Sequence, residues 1–133
     1  MDKLCCLLYV SRASLGVDEE DYLEILAKSR ANNPRGRITG LLCAGGGQFV
    51  QVLEGPQKNV LELYTRILDD PRHYDSVLIG VNYLPERLFS EWAMGYISNP
   101  PEVMEARRKI LLEEWENDAR RTELVQLMRG FVE

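Results

Sequence analysis

Ile38-Thr39-Gly40-Leu41-Leu42-Cys43-Ala44-Gly45-Gly46-Gly47-Gln48-Phe49-Val50-Gln51-Val52-Leu53-Glu54-Gly55-Pro56 reads as two strands joined by a glycine turn. Ile38 to Ala44 and Gln48 to Leu53 are strand-like, and Gly45-Gly46-Gly47 supplies the positive φ angles a tight hairpin needs. A nucleotide-binding fingerprint would set its glycines between a strand and a helix N-terminus, whereas here a second strand follows directly. Period-2 alternation places Gln51 between Phe49 and Leu53 on one face. Each unpaired polar group of an amide there would cost roughly 1–3 kcal/mol, so Gln51 needs partners, and it can offer them either its oxygen or its NH2.

Helical segments flank this hairpin on both sides. Upstream, Asp18-Glu19-Glu20-Asp21 puts acid at a helix start and Lys28 and Arg30 put base near its end, as the helix dipole prefers; Asn32-Asn33-Pro34-Arg35-Gly36 stops it. Before that helix, Leu4 to Val10 reads as a strand in which Tyr9 and Ser11 share a face with Cys5 and Leu7, so a phenol could reach Gln51 from a neighbouring strand. Downstream, Gly55-Pro56 opens a helix from about Lys58 to Leu68 with Val60, Leu63, Tyr64 and Ile67 as its apolar stripe, ended by Asp69-Asp70-Pro71. Ser76 to Tyr83 then alternates Val77, Ile79, Val81 and Tyr83 on one face, and a short strand around Trp92 to Tyr96 groups Trp92, Met94 and Tyr96. The order β-α-β-β-α-β-β predicts an α+β, ferredoxin-like fold: a five-stranded mixed sheet with two helices on one face and a second face needing cover.

Ser98-Asn99-Pro100-Pro101 marks a boundary between residues 1–97 and a helical extension over 98–133. The first tail helix carries Val103, Ala106, Ile110 and Trp115 among many charges. The second, from near Asp118, has Leu124, Val125, Met128, Phe131 and Val132 on one stripe, suited to covering the bare sheet face or binding a partner. The 133 residues, 45% hydrophobic, suit one compact core with added length at one end. Sixteen basic against 21 acidic residues, with no basic stripe, argue against nucleic acid. The start lacks a signal-peptide pattern and no apolar run approaches the roughly 18–20 residues that span a bilayer, so a cytoplasmic protein without membrane contact is expected. Cys5, Cys6 and Cys43 read as reduced core residues, and a single histidine, His73, offers no metal-ligand spacing.

Taken together, Leu8-Tyr9-Val10-Ser11-Arg12-Ala13, Ala31-Asn32-Asn33, Arg37-Ile38-Thr39-Gly40-Leu41-Leu42, Phe49-Val50-Gln51-Val52-Leu53-Glu54-Gly55, Asp70-Pro71-Arg72-His73 and Phe89-Ser90-Glu91-Trp92-Ala93-Met94 resemble, in order and spacing, the BLUF family of blue-light receptors that use flavin. The resemblance runs from about Leu4 to Tyr96. It implies a non-covalent flavin, FAD by family habit with FMN or riboflavin as alternatives, lying between the two helices over the sheet. Ile25, Ser29 and Asn32 share one face of the first helix with Asn33 beside them, which suits an aliphatic wall ending in amides. The resemblance assigns Asn33 to flavin O4 and N3 and Asn32 to the pyrimidine edge. On the second helix it makes Ile67 the opposing wall and sends Arg66 and Asp70 to the ring edge or ribityl chain, although those two are also spaced for a surface salt bridge. His73 is implied at the flavin tail, and Ser11 as a supporting hydroxyl.

The photochemistry so implied runs through Tyr9 and Gln51. Tyr9 supplies an electron and a proton to the excited flavin by way of Gln51, which is left rotated or tautomerised with a new donor aimed at flavin O4. No substrate is turned over, so the chain is not read as an enzyme. Trp92 and Met94 could exchange places as Gln51 changes its bonds, and which of them faces inward stays open. Output would pass through the last strand and tail to a homo-oligomer interface or a separate effector protein. Two other readings compete: a ferredoxin-like interaction module without a chromophore, and a small acylphosphatase-like hydrolase built on Arg12 and Asn33.

Overall fold

The computed structural model describes residues 3–90 and 93–114. Its elements are β1 (Leu4–Ala13), α1 (Glu19–Asn32), a 3-10 turn (Asn33–Gly36), β2 (Thr39–Gly45), β3 (Gln48–Pro56), α2 (Gln57–Leu68), β4 (His73–Tyr83), β5 (Gly95–Ser98) and α3 (Pro101–Glu114). The five strands form one sheet in the order β4-β1-β3-β2-β5, antiparallel except for the β2–β5 pair. The expected ferredoxin-like arrangement with an added strand is therefore the one observed.

Local chemistry explains the punctuation. Asp18 caps α1 in a reciprocal box with Asp21, each backbone N–H donating to the other's carboxylate at 3.0 and 3.1 Å. Pro34 cannot continue the α1 ladder, so the chain tightens into the 3-10 turn and leaves it through Arg37 in the left-handed region (φ 56°). Gly46 and Gly47 hold φ at 58° and 74°, the pair of positive angles that a two-residue hairpin turn demands.

The sheet separates two apolar layers. Cys5, Leu7, Tyr9, Leu42, Phe49 and Leu53 face Tyr22 and Leu26 of α1 and Val60 of α2. On the opposite face Leu8, Val10, Leu41, Cys43, Val50, Val52 and Ile79 form a second cluster with Met104 and Leu111 of α3. The second face thus receives a cover from the first tail helix, through a different stripe from the one read in the sequence. Met104 and Leu111 are fully buried whereas Ile110 is 44% exposed, and Arg108, itself buried, interrupts the apolar spacing between them. The second tail helix, with its stripe from Leu124 to Val132, lies outside the described residues.

The last strand also differs from expectation. It begins at Gly95 rather than near Trp92, and the chain ahead of it is anchored at Leu88 and Phe89 by a buried carboxylate on β3. Glu54 accepts hydrogen bonds from the backbone N–H groups of Leu88 and Phe89 at 2.9 and 2.8 Å and from the Thr39 hydroxyl at 2.8 Å. Arg87 adds donations to Thr39 Oγ1 and to the carbonyls of Glu54 and Arg37. Met94 precedes the strand but keeps its side chain in the helix-side core.

Candidate functional site

The register sets Tyr9 of β1 opposite Gln51 of β3, and Leu42 of β2 faces Gln51 from the other side. Gln51 therefore occupies the middle strand of the sheet, 4% exposed, with its amide toward the helices. The Tyr9 hydroxyl donates to Gln51 Oε1 in a short contact, and the Gln51 NH2 points to the Met94 sulfur at 3.5 Å. Oxygen and nitrogen of the amide are thus engaged by different partners, a phenol and a weak thioether acceptor. Burial, and secondarily the proximity of Tyr64 and Asp70, pushes the Tyr9 phenol well above its ordinary range. It stays protonated at neutral pH, so losing an electron requires losing a proton as well.

Above this pair lies a cleft of about 570 Å³ between α1 and α2, within the size range of a small-molecule site. Ile25 and Ser29 line it from α1, Asn32 and Asn33 from the end of that helix, and Arg66, Ile67 and Asp70 from α2 and the turn after it. A smaller recess continues downward to Tyr9, Gln51, Leu42 and Phe49 and is closed at one side by His73. Aliphatic walls on both sides, amides at one end and a phenol–amide pair below match a flat heteroaromatic ring with a polar imide edge. On this donor set the residues fit a flavin.

Several of these residues have partners in the structure that the sequence did not show. Ser11 is fully buried behind the recess and bonds His73 Nδ1 at 3.0 Å, so it orients the imidazole. His73 Nε2 donates to the Ile67 carbonyl, which in the neutral ring leaves Nδ1 to accept from Ser11. Asp70 does not pair with Arg66. Helix α2 ends at Leu68, which takes Asp70 off the Arg66 face, and Arg72 captures the carboxylate through Nε at 3.0 and 3.1 Å and Nη2 at 2.6 Å while its backbone N–H adds a fourth bond. Arg72 thereby holds the Asp70 carboxyl below its usual range. Arg12, which pairs with Asp75 at 3.6 Å, belongs to the opposite face of the sheet from Asn33, so the two cannot form one hydrolytic site. Trp92 lies outside the described residues.

The sequence reading missed three partners. Tyr64 sits with its ring centroid 5.1 Å from that of Tyr9; as part of the α2 stripe it had read simply as core. Asn33, 4% exposed, donates through Nδ2 to the Ala93 carbonyl at 2.8 Å, and Arg30 donates through Nε to the Met94 carbonyl at 3.0 Å. Both contacts span 60 or more residues of chain, and no local pattern announces them. Among the described residues, no helix is long and apolar enough to cross a membrane.

Comparison with known proteins agrees with this geometry. The family described as sensors of blue light using FAD matches residues 4–95. A photoactivated adenylate cyclase subunit beta from Euglena gracilis is 39% identical over 92 residues, covering 68% of this chain and 11% of the cyclase subunit. The blue light- and temperature-regulated antirepressor BluF of Escherichia coli is 37% identical over 71 residues, 53% of this chain and 18% of that protein. This chain thus corresponds to less than a fifth of either protein's length. Among solved structures, the dark state of BlrB, a BLUF protein, superposes with a TM-score of 0.78 at 31% identity, covering 98% of both chains. Family match, fold and site chemistry converge: the chain belongs to the BLUF family of flavin-binding blue-light sensors.

Proposed function

We propose that this chain is a photoswitch in which Tyr9 and Gln51 convert blue-light absorption by a bound flavin into a change in the hydrogen bonds around Met94. The observation that carries the reading is the continuous path from the Tyr9 hydroxyl to Gln51 Oε1 and from Gln51 Nε2 to the Met94 sulfur. The flavin, when bound, supplies light absorption and an electron-accepting excited state. Tyr9 releases an electron and passes its proton along the short bond to Gln51. Return of both to Tyr9 leaves the amide rotated or tautomerised, so that its NH2 no longer faces the thioether. Asn32, Asn33 and Ser29 hold the ring's polar edge, Ile25 and Ile67 its faces, and Asp70 and Arg66 the outer edge or ribityl chain. His73 stands toward the tail with Ser11 behind it. Trp92, near Met94 in sequence, is the candidate to exchange with it.

The charge around the cleft favours a phosphorylated flavin. Lys28, Arg35, Arg66 and Arg72 line it against Glu62 and Asp70, and Asp70 is already neutralised by Arg72. FAD is the form we favour, with FMN next. Raising ionic strength from about 0.1 M to 1 M shortens the screening length from ~10 Å to ~3 Å, and should weaken FAD and FMN binding several-fold while leaving riboflavin nearly unchanged. Equal salt dependence for all three would remove the phosphate argument.

Residues 1–97 form the sensing unit and 98–133 its output, through a homo-oligomer interface or an effector protein in the cytoplasm, with no substrate turned over by this chain. In the cyclase subunit and the antirepressor the matching region is one part of a longer chain. The direct test is the visible spectrum of flavin-loaded protein in the dark and just after blue light. A small reversible red shift is expected; a spectrum unchanged by illumination, or failure to bind any flavin, would leave the interaction module in its place.

A further inference from the structure

Among the described residues, strand β5 lies at the edge of the sheet and pairs with β2 alone. Residues 93–96 are nevertheless held at three points, two by α1 and one by the first residue of the 3-10 turn that follows it. Tyr96 Oη donates to Glu19 Oε1 at 3.1 Å, Arg30 Nε donates to the Met94 carbonyl at 3.0 Å, and Asn33 Nδ2 donates to the Ala93 carbonyl at 2.8 Å. Arg30 and Asn33 stand three residues apart, one helical turn, and so grip two successive peptide carbonyls. Met94 is consequently held at both ends. A thioether takes the Gln51 NH2 weakly, whereas a guanidinium takes the backbone carbonyl by a charge-assisted bond, the stronger of the two.

We propose that Arg30 is a positioning residue of the photoswitch: by fixing the Met94 carbonyl it binds the residue that reads Gln51 to helix α1, so the light signal reaches α1 as well as β5. This rests on the Gln51 switch proposed above. When Gln51 withdraws its NH2, the thioether loses its donor while the carbonyl keeps Arg30. The Met94 side chain is then freed about a backbone that remains attached to α1, and any displacement of that backbone must carry the helix end with it. Arg30 is absent from the residues lining the cleft and from those lining the recess that holds Tyr9 and Gln51. Its removal should therefore leave the colour of the dark state alone.

The test uses the full chain loaded with FAD, in three variants. Arg30→Met keeps the aliphatic stem and removes the donors; Arg30→Lys keeps the charge and one possible donor; Tyr96→Phe cuts the Glu19 bond and spares Met94. Arg30→Met should retain the dark spectrum and the size of the light-induced shift, change the rate of dark recovery by roughly fivefold or more, and raise amide exchange across Gly95–Ser98 by roughly tenfold in the dark. Arg30→Lys should fall between it and the parent, and Tyr96→Phe should raise exchange without the change in recovery. Recovery within about twofold of the parent in Arg30→Met, or the same change in Tyr96→Phe, would overturn the proposal. A parent protein with no reversible shift would instead refute the switch itself, and the dark exchange comparison would still report whether Arg30 holds β5.

Discussion

Tyr9→Phe is expected to bind flavin and fold, yet to lose the reversible red shift almost completely, by about two orders of magnitude or more in yield. A phenylalanine ring keeps the packing against Tyr64 at 5.1 Å but cannot surrender an electron and a proton together. The fold should survive because the change removes one buried hydrogen bond, at a cost of about 1–2 kcal/mol, and Gln51 Oε1 loses a donor rather than a charged partner. Absorption difference spectra measured against the parent at equal flavin occupancy decide the matter. If the shift persists in full, Tyr9 is not the donor, and Tyr64 becomes the nearest other phenol to test. The raised Tyr9 pKa adds a pH signature. The protonated phenol is the form the folded state favours, so its contribution is intact below the ordinary tyrosine pKa of about 10 and is lost as pH rises through the folded-state value. Neutral-pH photochemistry should therefore be insensitive to Tyr9 titration.

The second large effect concerns Glu54, fully buried with three hydrogen-bond donors on its carboxylate. Glu54→Ala should cost about 4 kcal/mol or more, because two backbone N–H groups and a threonine hydroxyl lose their acceptor at roughly 1–3 kcal/mol each. Glu54→Gln is the informative companion. An amide oxygen in the position of Oε1 still receives Thr39 and Phe89, but its NH2 then opposes the Leu88 N–H, and the loss should fall to about 1–2 kcal/mol. Urea denaturation separates the two variants. Equal losses would mean that the cost comes from the cavity and not from the acceptors. The connection so anchored ends at Met94, so in both variants the Gln51–Met94 contact should loosen along with the fold.

How much of this was readable beforehand depends on the range of each interaction. Element order, the glycine hairpin and the acidic start of α1 follow from residues within a few positions of one another, and the sequence carries them openly. The facing of Tyr9 and Gln51 was legible too, because period-2 alternation puts both on the helix-side surface once their strands are neighbours. The cleft residues of α1 were equally accessible, since helical spacing alone groups Ile25, Ser29 and Asn32. The α3 stripe was misread because Arg108, a charge by type but buried in place, broke the apolar rhythm between Met104 and Leu111.

What the sequence by itself determined is thus the five strands and first three helices, their order, and the phenol–amide pair at the centre. The tertiary structure alone decided that Arg72 rather than Arg66 neutralises Asp70, that Glu54 anchors the connection before β5, and that Arg30 and Asn33 reach Ala93 and Met94. The physical reason is the same in each case. Propensity, capping and periodicity act between near neighbours in the chain, whereas a long polar side chain chooses among every donor and acceptor that folding brings within about 3 Å, and that choice exists only after the strands have paired.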